Sequence, residues 1–439
     1  MAVRPQLHRV VVVGGGVAGL EIATALGRRF RGERQRHGEG PSVTLVDHDT
    51  AHVWKPMLHT IAAGTSDISQ QQTPYQAQAH AAGFAFQMGE FAELDRTARE
   101  LRLLPLRDRH GRVVIPERRV RYDTLIIAVG SLVNDFGTPG VAEYCRVIDS
   151  RRQANAFNRE IRVRVAQCLT QGKDLSIGIV GGGATGVELA AELIRLKDAV
   201  VAYGGEELPT CLSVTLLEAG PRLLPAFPTN ISTSVQGQLE ALGVRVLTHT
   251  AVNSVTEDAF ILNTKDRIPA SLKVWAAGVK APEFLAALDG LETTRGNQLV
   301  VTASLCTTND PHIFAVGDCS SLRLAGAERP LPPTAQVAHQ QAQHLIRYLP
   351  DAVLHGRSVP PFRYHDFGAL VSLADYDAFG SLGDYGLMKS VTFRGRLAHF
   401  SHVLLYRRHQ MQLHGVLRGW LLWLIDRLNA SARPTIRMD

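Results

Sequence analysis

Four β-branched residues in succession, Val10 to Val13, run into Gly14-Gly15-Gly16-Val17-Ala18-Gly19 and then into a helix-forming stretch from Leu20 to Leu26. A short unbroken apolar run bounded by glycines has the pattern of a strand buried on both faces, with a turn into a helix behind it. The order recurs further on. Ile177-Gly178-Ile179-Val180 reads as strand, Gly181-Gly182-Gly183-Ala184-Thr185-Gly186 as turn, and Val187 to Leu196 as helix. Each copy is followed by a second apolar run that ends on an acid: Val43 to Val46 closes on Asp47, and Val214 to Leu217 on Glu218. The polar stretches Arg31 to Gly40 and Tyr203 to Thr210 read as loop insertions that delay each acid beyond the usual spacing of about 20 residues. Strands alternating with helices in this way predict an α/β fold with parallel sheets.

Three more apolar runs end in small-residue turns: Tyr122 to Ile127 leads into Ala128-Val129-Gly130-Ser131, Val274-Trp275 into Ala276-Ala277-Gly278, and Ile313 to Val316 into Gly317-Asp318. Pro332-Pro333-Thr334 starts a helix in which Gln336 and Gln340, at i and i+4, share one face. Near the end of the chain, from about Val403 to Asn429, Leu413, Leu417, Trp420, Leu424 and Leu428 trace one helical stripe with arginines on the other side.

Glycines at the two G-x-G-x-x-G positions have distinct physical jobs. The first (Gly14, Gly181) makes the tight turn, the second (Gly16, Gly183) admits a pyrophosphate, and the third (Gly19, Gly186) lets helix pack on strand. Phosphates then rest on a helix N-terminus, and Asp47 and Glu218 are placed to accept from a ribose hydroxyl. A single copy could be a glycine-rich turn; two full copies point to two dinucleotides, one a tightly held flavin (FAD) and one an exchanging nicotinamide (NADH).

The chain has 439 residues, 45% of them hydrophobic and 20% charged, which is the balance of a large folded globular protein. Net charge is +6, but residues 389–439 alone carry +7, leaving −1 for the rest. The basic balance therefore belongs to a C-terminal patch, and a nucleic-acid-binding surface is not expected. Stripe, arginines and tryptophans together read as a helix lying on an anionic lipid surface; burial of the stripe against the body, or in a homodimer, is the alternative. No apolar run approaches the roughly 20 residues needed to span a bilayer. Five scattered cysteines without C-x-x-C spacing suggest no disulfide framework and no metal site, and fit a reducing cytosol.

The turns at Gly130, Gly278 and Gly317-Asp318 resemble those of two-dinucleotide flavoproteins of the glutathione-reductase fold. That resemblance implies two Rossmann-like domains: a discontinuous FAD domain at 1–149 and 297–389, an NADH domain at 150–296, and a C-terminal membrane-association region at 390–439. No cysteine precedes Cys145, where disulfide reductases of this fold keep their redox pair, so a diffusible acceptor is expected. Val53-Trp54-Lys55-Pro56-Met57-Leu58-His59, Val214 to Pro225, Val274 to Pro282, and above all Ala335-Gln336-Val337-Ala338-His339-Gln340 are similar to type II NADH dehydrogenases of bacteria. The last matches the A-Q-x-A-x-Q quinone motif of that family.

The resemblance implies a respiratory NADH:quinone oxidoreductase that pumps no protons and docks peripherally on the cytoplasmic face of the inner membrane. It assigns Gln336 and Gln340 to the quinone and Glu188 to a place beside the nicotinamide and flavin rings. Asp318 would bond the ribityl chain, with Lys55 near the ring. From the residues alone, Gln336 and Gln340 could equally be an exposed polar face, Glu188 a carboxylate favoured by the helix dipole, and Lys55 a surface lysine. Another flavoprotein reductase of the same fold, such as a sulfide:quinone reductase, is the alternative function.

Overall fold

The computed structural model describes residues 7–66, 72–108, 110–205, 208–374, 376–381, 392–395 and 406–432. Along the chain come strands β1 (Arg9–Val13), β2 (Ser42–Asp47), β3 (Ala85–Met88) and β4 (Thr124–Ile127). Next come β5 (Leu175–Val180), β6 (Leu212–Leu217), β7 (Arg245–Leu247) and β8 (Leu272–Trp275), then β9 (Asp310–Ala315), β10 (Ala369–Leu373), β11 (Asp377–Ser381) and β12 (Thr392–Arg394). The helices used below are α1 (Val17–His37), α2 (Leu58–Ala63), α3 (Arg151–Gln171), α4 (Ala184–Ala202), α5 (Ala335–His355) and α6 (Val416–Ala432).

The first sheet has the order Cys306–Thr307, β9, β4, β1, β2, β3, with the pairs from β9 to β3 all parallel. Its centre is the valine run: Val10 to Val13 are buried in one core with Leu20, Leu26 and Phe30 of α1 and with Leu94, Leu101, Leu103 and Val120 of a three-stranded antiparallel sheet. The second sheet has the order β7, β6, β5, β8, again all parallel. In both, the strand that feeds the glycine turn lies between its two successors, so a crevice opens at its C-terminal end. β4 and β9 pair directly, yet the whole second sheet lies between them in sequence.

Helix α1 overturns one expectation. The stretch Arg31 to Gly40, expected as a loop, is mostly helix: α1 continues to His37 and stops at Gly38, which adopts φ 78° and donates its N–H to Arg34 O (2.9 Å). Phe30 is buried and holds that turn down, while Arg34, Arg36 and His37 suit the negative end of the helix dipole. Extra helical turns, rather than a loop, delay Asp47. The stretch Tyr203 to Thr210 is likewise not all loop, since a short helix begins at Leu208.

A second correction concerns cysteine. Cys168, in the last turns of α3, and Cys211, at the end of the short helix Leu208–Cys211, form a disulfide, with Cα atoms 6.1 Å apart. The two lie 43 residues apart, so only the packing of the two helices brings them together.

Pieces from outside residues 150–296 pack into the core of the second sheet: Leu58, Ile61 and Ala62 of α2, and Val371, Leu373 and Phe379 of β10 and β11. The three-stranded antiparallel sheet β10, β11, β12 thus leans on the second nucleotide unit.

The C-terminal stripe is not continuous. Residues 406–414 are helical, Gly415 breaks the path at φ 85°, and α6 starts afresh at Val416. Leu413 falls off the stripe and is buried, its carbonyl accepting from Arg28 (2.5 Å) and Gln78 (2.8 Å). Leu417, Trp420, Leu421, Leu424, Ile425 and Leu428 are exposed, Leu417 by 86%. Among the described residues no helix is long and apolar enough to cross a membrane. Val403, Lys389, Arg396, Arg433 and Arg437 lie outside the described residues.

Candidate active site between two glycine turns

At the end of β1, Gly14 has φ 99° and donates to Val46 O (2.8 Å); a side chain there would strike the backbone of Ala128. The Gly15 N–H donates to Asp47 Oδ2 (2.6 Å), and Asp47 Oδ1 accepts from Asp49 N–H (2.7 Å). Burial raises the Asp47 pKa, against the pull of those two bonds. Gly16 caps α1 without a side-chain bond, and a Cβ on it would meet nothing within 4 Å. Gly19 sits on the Gly14 carbonyl. An open helix N-terminus with a carboxylate beside it fits a dinucleotide.

The turn after β5 repeats this almost group for group. Gly181 has φ 115° and donates to Leu217 O (2.8 Å), Gly183 caps α4 with open space around it, and Gly186 sits on the Gly181 carbonyl. Glu218 accepts from both Gly182 and Gly220 N–H at 2.6 Å. Arg222 is not a free cation: its guanidinium donates to Phe227 O (2.8 Å), Pro225 O (2.8 Å), Leu224 O (3.2 Å) and Ser232 Oγ (2.5 Å).

A two-stranded ribbon joins the segments that follow β4 and β8: Leu132–Val133 pairs antiparallel with Val279–Lys280, and Trp275 Nε1 donates to Asn134 O (2.9 Å). Gly278, at φ 64°, faces Asn134 and Phe136 across it. On the other side Lys55 Nζ donates to Ser131 O (2.7 Å) and lies 3.6 Å from Asp149, while Ser131 Oγ donates to Asp318 (2.7 Å). Lys55, Gly130 and Asp318, far apart in sequence, therefore meet at one place. Lys55 is no isolated surface lysine.

Thr334 caps α5 by accepting from Val337 N–H (3.2 Å). Gln336 and Gln340 do share a face: Gln336 donates to Tyr364 Oη (2.5 Å), and Gln340 donates to His365 O (2.7 Å) and accepts from His365 N–H (3.0 Å). Gln341, not singled out from sequence, is buried and accepts from Gly317 N–H (2.6 Å), which ties α5 to the Asp318 turn. Its sequence signal is a lone amide among Val337, Ala338, Ala342 and Leu345 on the apolar side of the helix.

Because α4 begins at Ala184, Glu188 lies beyond the first helical turn, where the dipole alone does little for it. It is 6% exposed, accepts from Ser372 N–H on β10 (3.1 Å), and approaches His59 Nδ1 on α2 to 3.5 Å. Burial pushes its pKa up to about 8, the neighbouring Glu192 adding to the rise while the Ser372 bond opposes it. Sequence reasoning missed His59 and Ser372, since neither is near Glu188 along the chain. The thiols of Cys145 and Cys319 are buried, which raises their pKa values to about 12 and about 11 and leaves them unreactive.

Two open glycine turns, their acids and a joining ribbon define a two-dinucleotide flavoprotein fold, and the profile of the pyridine nucleotide-disulphide oxidoreductase family matches residues 8–342. Over 98% of its length the chain is 38% identical to the type II NADH:quinone oxidoreductase of Haemophilus influenzae, covering all of that protein. The chain belongs to the type II NADH:quinone oxidoreductase family. Its fold superposes on NDH2 of Plasmodium falciparum, solved in complex with NADH, with a TM-score of 0.81 at 19% identity, covering 98% of this chain and 100% of that one. The sulfide:quinone oxidoreductase of Aquifex aeolicus shares the fold at a TM-score of 0.70 and 16% identity, over 93% of this chain and 92% of that one.

The carboxylates of the second unit make two separate predictions. A folded-state pKa of about 8 against an ordinary 4.5 means that the folded chain holds a proton the unfolded chain releases, so stability falls as pH rises between those values. Melting curves of the FAD-loaded protein should show Glu188→Gln gaining on the unmodified protein across that window, and parallel curves would refute the elevated pKa. At the other acid, Glu218 would repel a 2′-phosphate, and Arg222 is drawn to the 224–232 segment by its bonds to Leu224 O, Pro225 O, Phe227 O and Ser232 Oγ. NADH should exceed NADPH in kcat/KM by at least about tenfold, and Glu218→Gln should narrow the gap; equal efficiencies would contradict this assignment.

Proposed function

We propose that the protein oxidises NADH and reduces a membrane quinone, with FAD held by residues 1–149 and 297–389, NADH by 150–296, and residues 390–439 docking on an anionic lipid surface. FAD, when bound, accepts the hydride of NADH and passes two electrons to the acceptor. The observation that carries this reading is the bond from Gly317 N–H to Gln341, because it fastens the glutamine-bearing helix α5 directly to the Asp318 turn.

Each residue has a definite task in this reading. Gly14, Gly16 and Gly19 would admit the FAD pyrophosphate to the start of α1, Asp47 would accept from its ribose, and Asp318 from its ribityl chain. Lys55 would set a positive charge near the ring, already oriented by Ser131 and Asp149. Gly181, Gly183, Gly186, Glu218 and Gly278 would hold NADH against the opposite face. Gln336 and Gln340 would offer neutral amide donors to a quinone carbonyl, which avoids the cost of burying a charge; each would first release its bond to the 364–366 segment. Glu188 would keep a proton on its carboxyl near neutral pH and pass it toward His59.

The sulfide:quinone alternative requires reactive thiols by the flavin. Burial of Cys145 and Cys319 speaks against it, as does the Glu218 turn, which sulfide oxidation would leave idle. The exposed row from Leu417 to Leu428 supports peripheral docking on a bilayer; the cytoplasmic side belongs to the same proposal and rests on the family resemblance alone. A homodimer formed through the same row is the second reading of that surface.

Stopped-flow absorbance with NADH and then a short-chain quinone tests the acceptor site. Gln336→Leu should leave NADH-driven bleaching of the bound flavin unchanged and slow colour recovery on quinone about tenfold, the worth of one lost hydrogen bond. Equal damage to both phases would remove Gln336 from that site.

Liposome sedimentation tests the membrane surface. Leu421→Glu with Leu424→Glu should weaken association at least about a hundredfold, since each leucine withdrawn from the lipid forfeits about 1.5–3 kcal/mol. Undiminished pelleting, or a shift from dimer to monomer without loss of lipid binding, would reassign the row to a protein contact.

A further inference from the structure

Beneath the glycine turn of the first sheet lies a buried cluster that the reaction above does not use. Glu21 of α1 is fully buried and accepts from His409 Nδ1 (2.7 Å), His339 Nδ1 (2.8 Å) and Gln343 Nε2 (3.1 Å). The other nitrogen of His409, Nε2, lies 3.0 Å from His52 Nε2, and His52 Nδ1 lies 2.9 Å from Gly15 O. His409 is in the C-terminal segment 406–414, His339 is inside the glutamine-bearing helix α5, and Gly15 is in the turn that faces the FAD pyrophosphate.

With Glu21 ionised, as its bonds to His339 and His409 hold it against burial, proton counting on this chain has one solution. The Gly15 carbonyl and the Glu21 carboxylate can only accept, so His52 Nδ1 and His409 Nδ1 must both carry hydrogen. Two neutral imidazoles protonated there would face each other across the 3.0 Å contact with two lone pairs and no hydrogen. The contact therefore needs one more proton, and the His52 and His409 pair carries a positive charge.

We infer that His409 is an imidazolium, buried between the Glu21 carboxylate and a neutral His52, and that this charge pair is the latch seating the C-terminal segment on the flavin domain. Three further observations agree. Trp54 lies against the His409 ring, with centroids 4.6 Å apart, an arrangement that favours a cation. Burial and the charge on His409 push the His52 pKa down to about 3, which leaves the extra proton on His409. The His339 and His409 bonds hold Glu21 down to about 2 against its burial, so the anion persists at all physiological pH.

His339 Nδ1 gives its hydrogen to Glu21, and its Nε2 is buried without a hydrogen-bond partner among the described residues. The remaining ionisable groups around the pair are Tyr75, whose hydroxyl donates to the same Gly15 carbonyl (2.9 Å), Arg28 on α1, and Tyr406, Arg407, His414 and Arg418 on the C-terminal segment itself. Arg28 bonds the Gln412 and Leu413 carbonyls and Arg407 pairs with Asp426, so neither competes for Glu21. His409 is thus a positioning residue: it registers the lipid-facing helix α6 against both α5 and the flavin turn without touching either substrate.

The test uses full-length, FAD-loaded protein in detergent with 15N-labelled histidine. Near pH 8, above the range in which a free histidine is charged, one ring should show both nitrogens protonated. That signal should vanish in His409→Gln and revert to a singly protonated ring in Glu21→Gln. Amide exchange across residues 406–414 should speed up at least about tenfold in Glu21→Gln, as expected when one partner of a buried pair is removed. A His409 ring carrying a single proton near neutral pH would overturn the inference, as would Glu21→Gln with unchanged exchange and an unchanged ring. Should Glu21→Gln fail to fold, the signal of the unmodified protein, assigned by its loss in His409→Gln, decides the matter alone.

Discussion

The molecule is organised by one hydrogen bond, made twice: a backbone N–H in the middle of a glycine turn given to a carboxylate at the end of the adjacent strand. Gly15 to Asp47 and Gly182 to Glu218 are both 2.6 Å. Each bond keeps its turn flat against the sheet, so that the helix behind it points an uncapped N-terminus into the crevice. It also turns the acid's second oxygen to a neighbouring backbone N–H, leaving the carboxylate fixed before any ribose arrives. Preorganisation of this kind lowers the ordering cost of binding a long, flexible dinucleotide.

The two turns carry a glutamate at the same place, two residues past the third glycine, and the surroundings drive them in opposite directions. Glu21 meets two imidazoles and an amide and stays an anion; Glu188 meets mainly apolar packing and another carboxylate and tends to hold its proton. One acts as fixed charge and the other as an acid available near neutral pH. This is the familiar division of labour between paired carboxylates in enzymes, produced here by a duplicated element and two different settings.

Much of the plan is readable from residue order. The two fingerprints, their acids, the Asp318 turn and the Thr334 helix start are local patterns, each set by backbone geometry over a few residues. What escapes is of three kinds. Helix ends are missed where polar composition masks helix, as at Arg31 to His37, because arginine is a good helix former and one buried Phe30 decides the matter. Contacts between distant segments are invisible altogether: Cys168 with Cys211, Glu188 with His59, and Glu21 with His409 depend on how elements pack, and spacing along the chain carries no record of that. The C-terminal stripe fails for a third reason, since periodicity assumes an unbroken helix and Gly415 is a break that needs no change in the apolar rhythm.

That break separates two tasks which a single rod would have fused. Residues 406–414 are anchored to the body by buried polar groups, whereas α6 offers an oily side to the outside, and the torsions at Gly415 set the angle between them together with the Arg407–Asp426 ion pair. In the proposed docking on a bilayer, the tilt of the enzyme would follow from this break and its ion pair, and so would the height of the acceptor site above the lipid. A greasy substrate leaving the bilayer would meet an opening whose elevation is built into the backbone rather than left to diffusion of the enzyme over the surface.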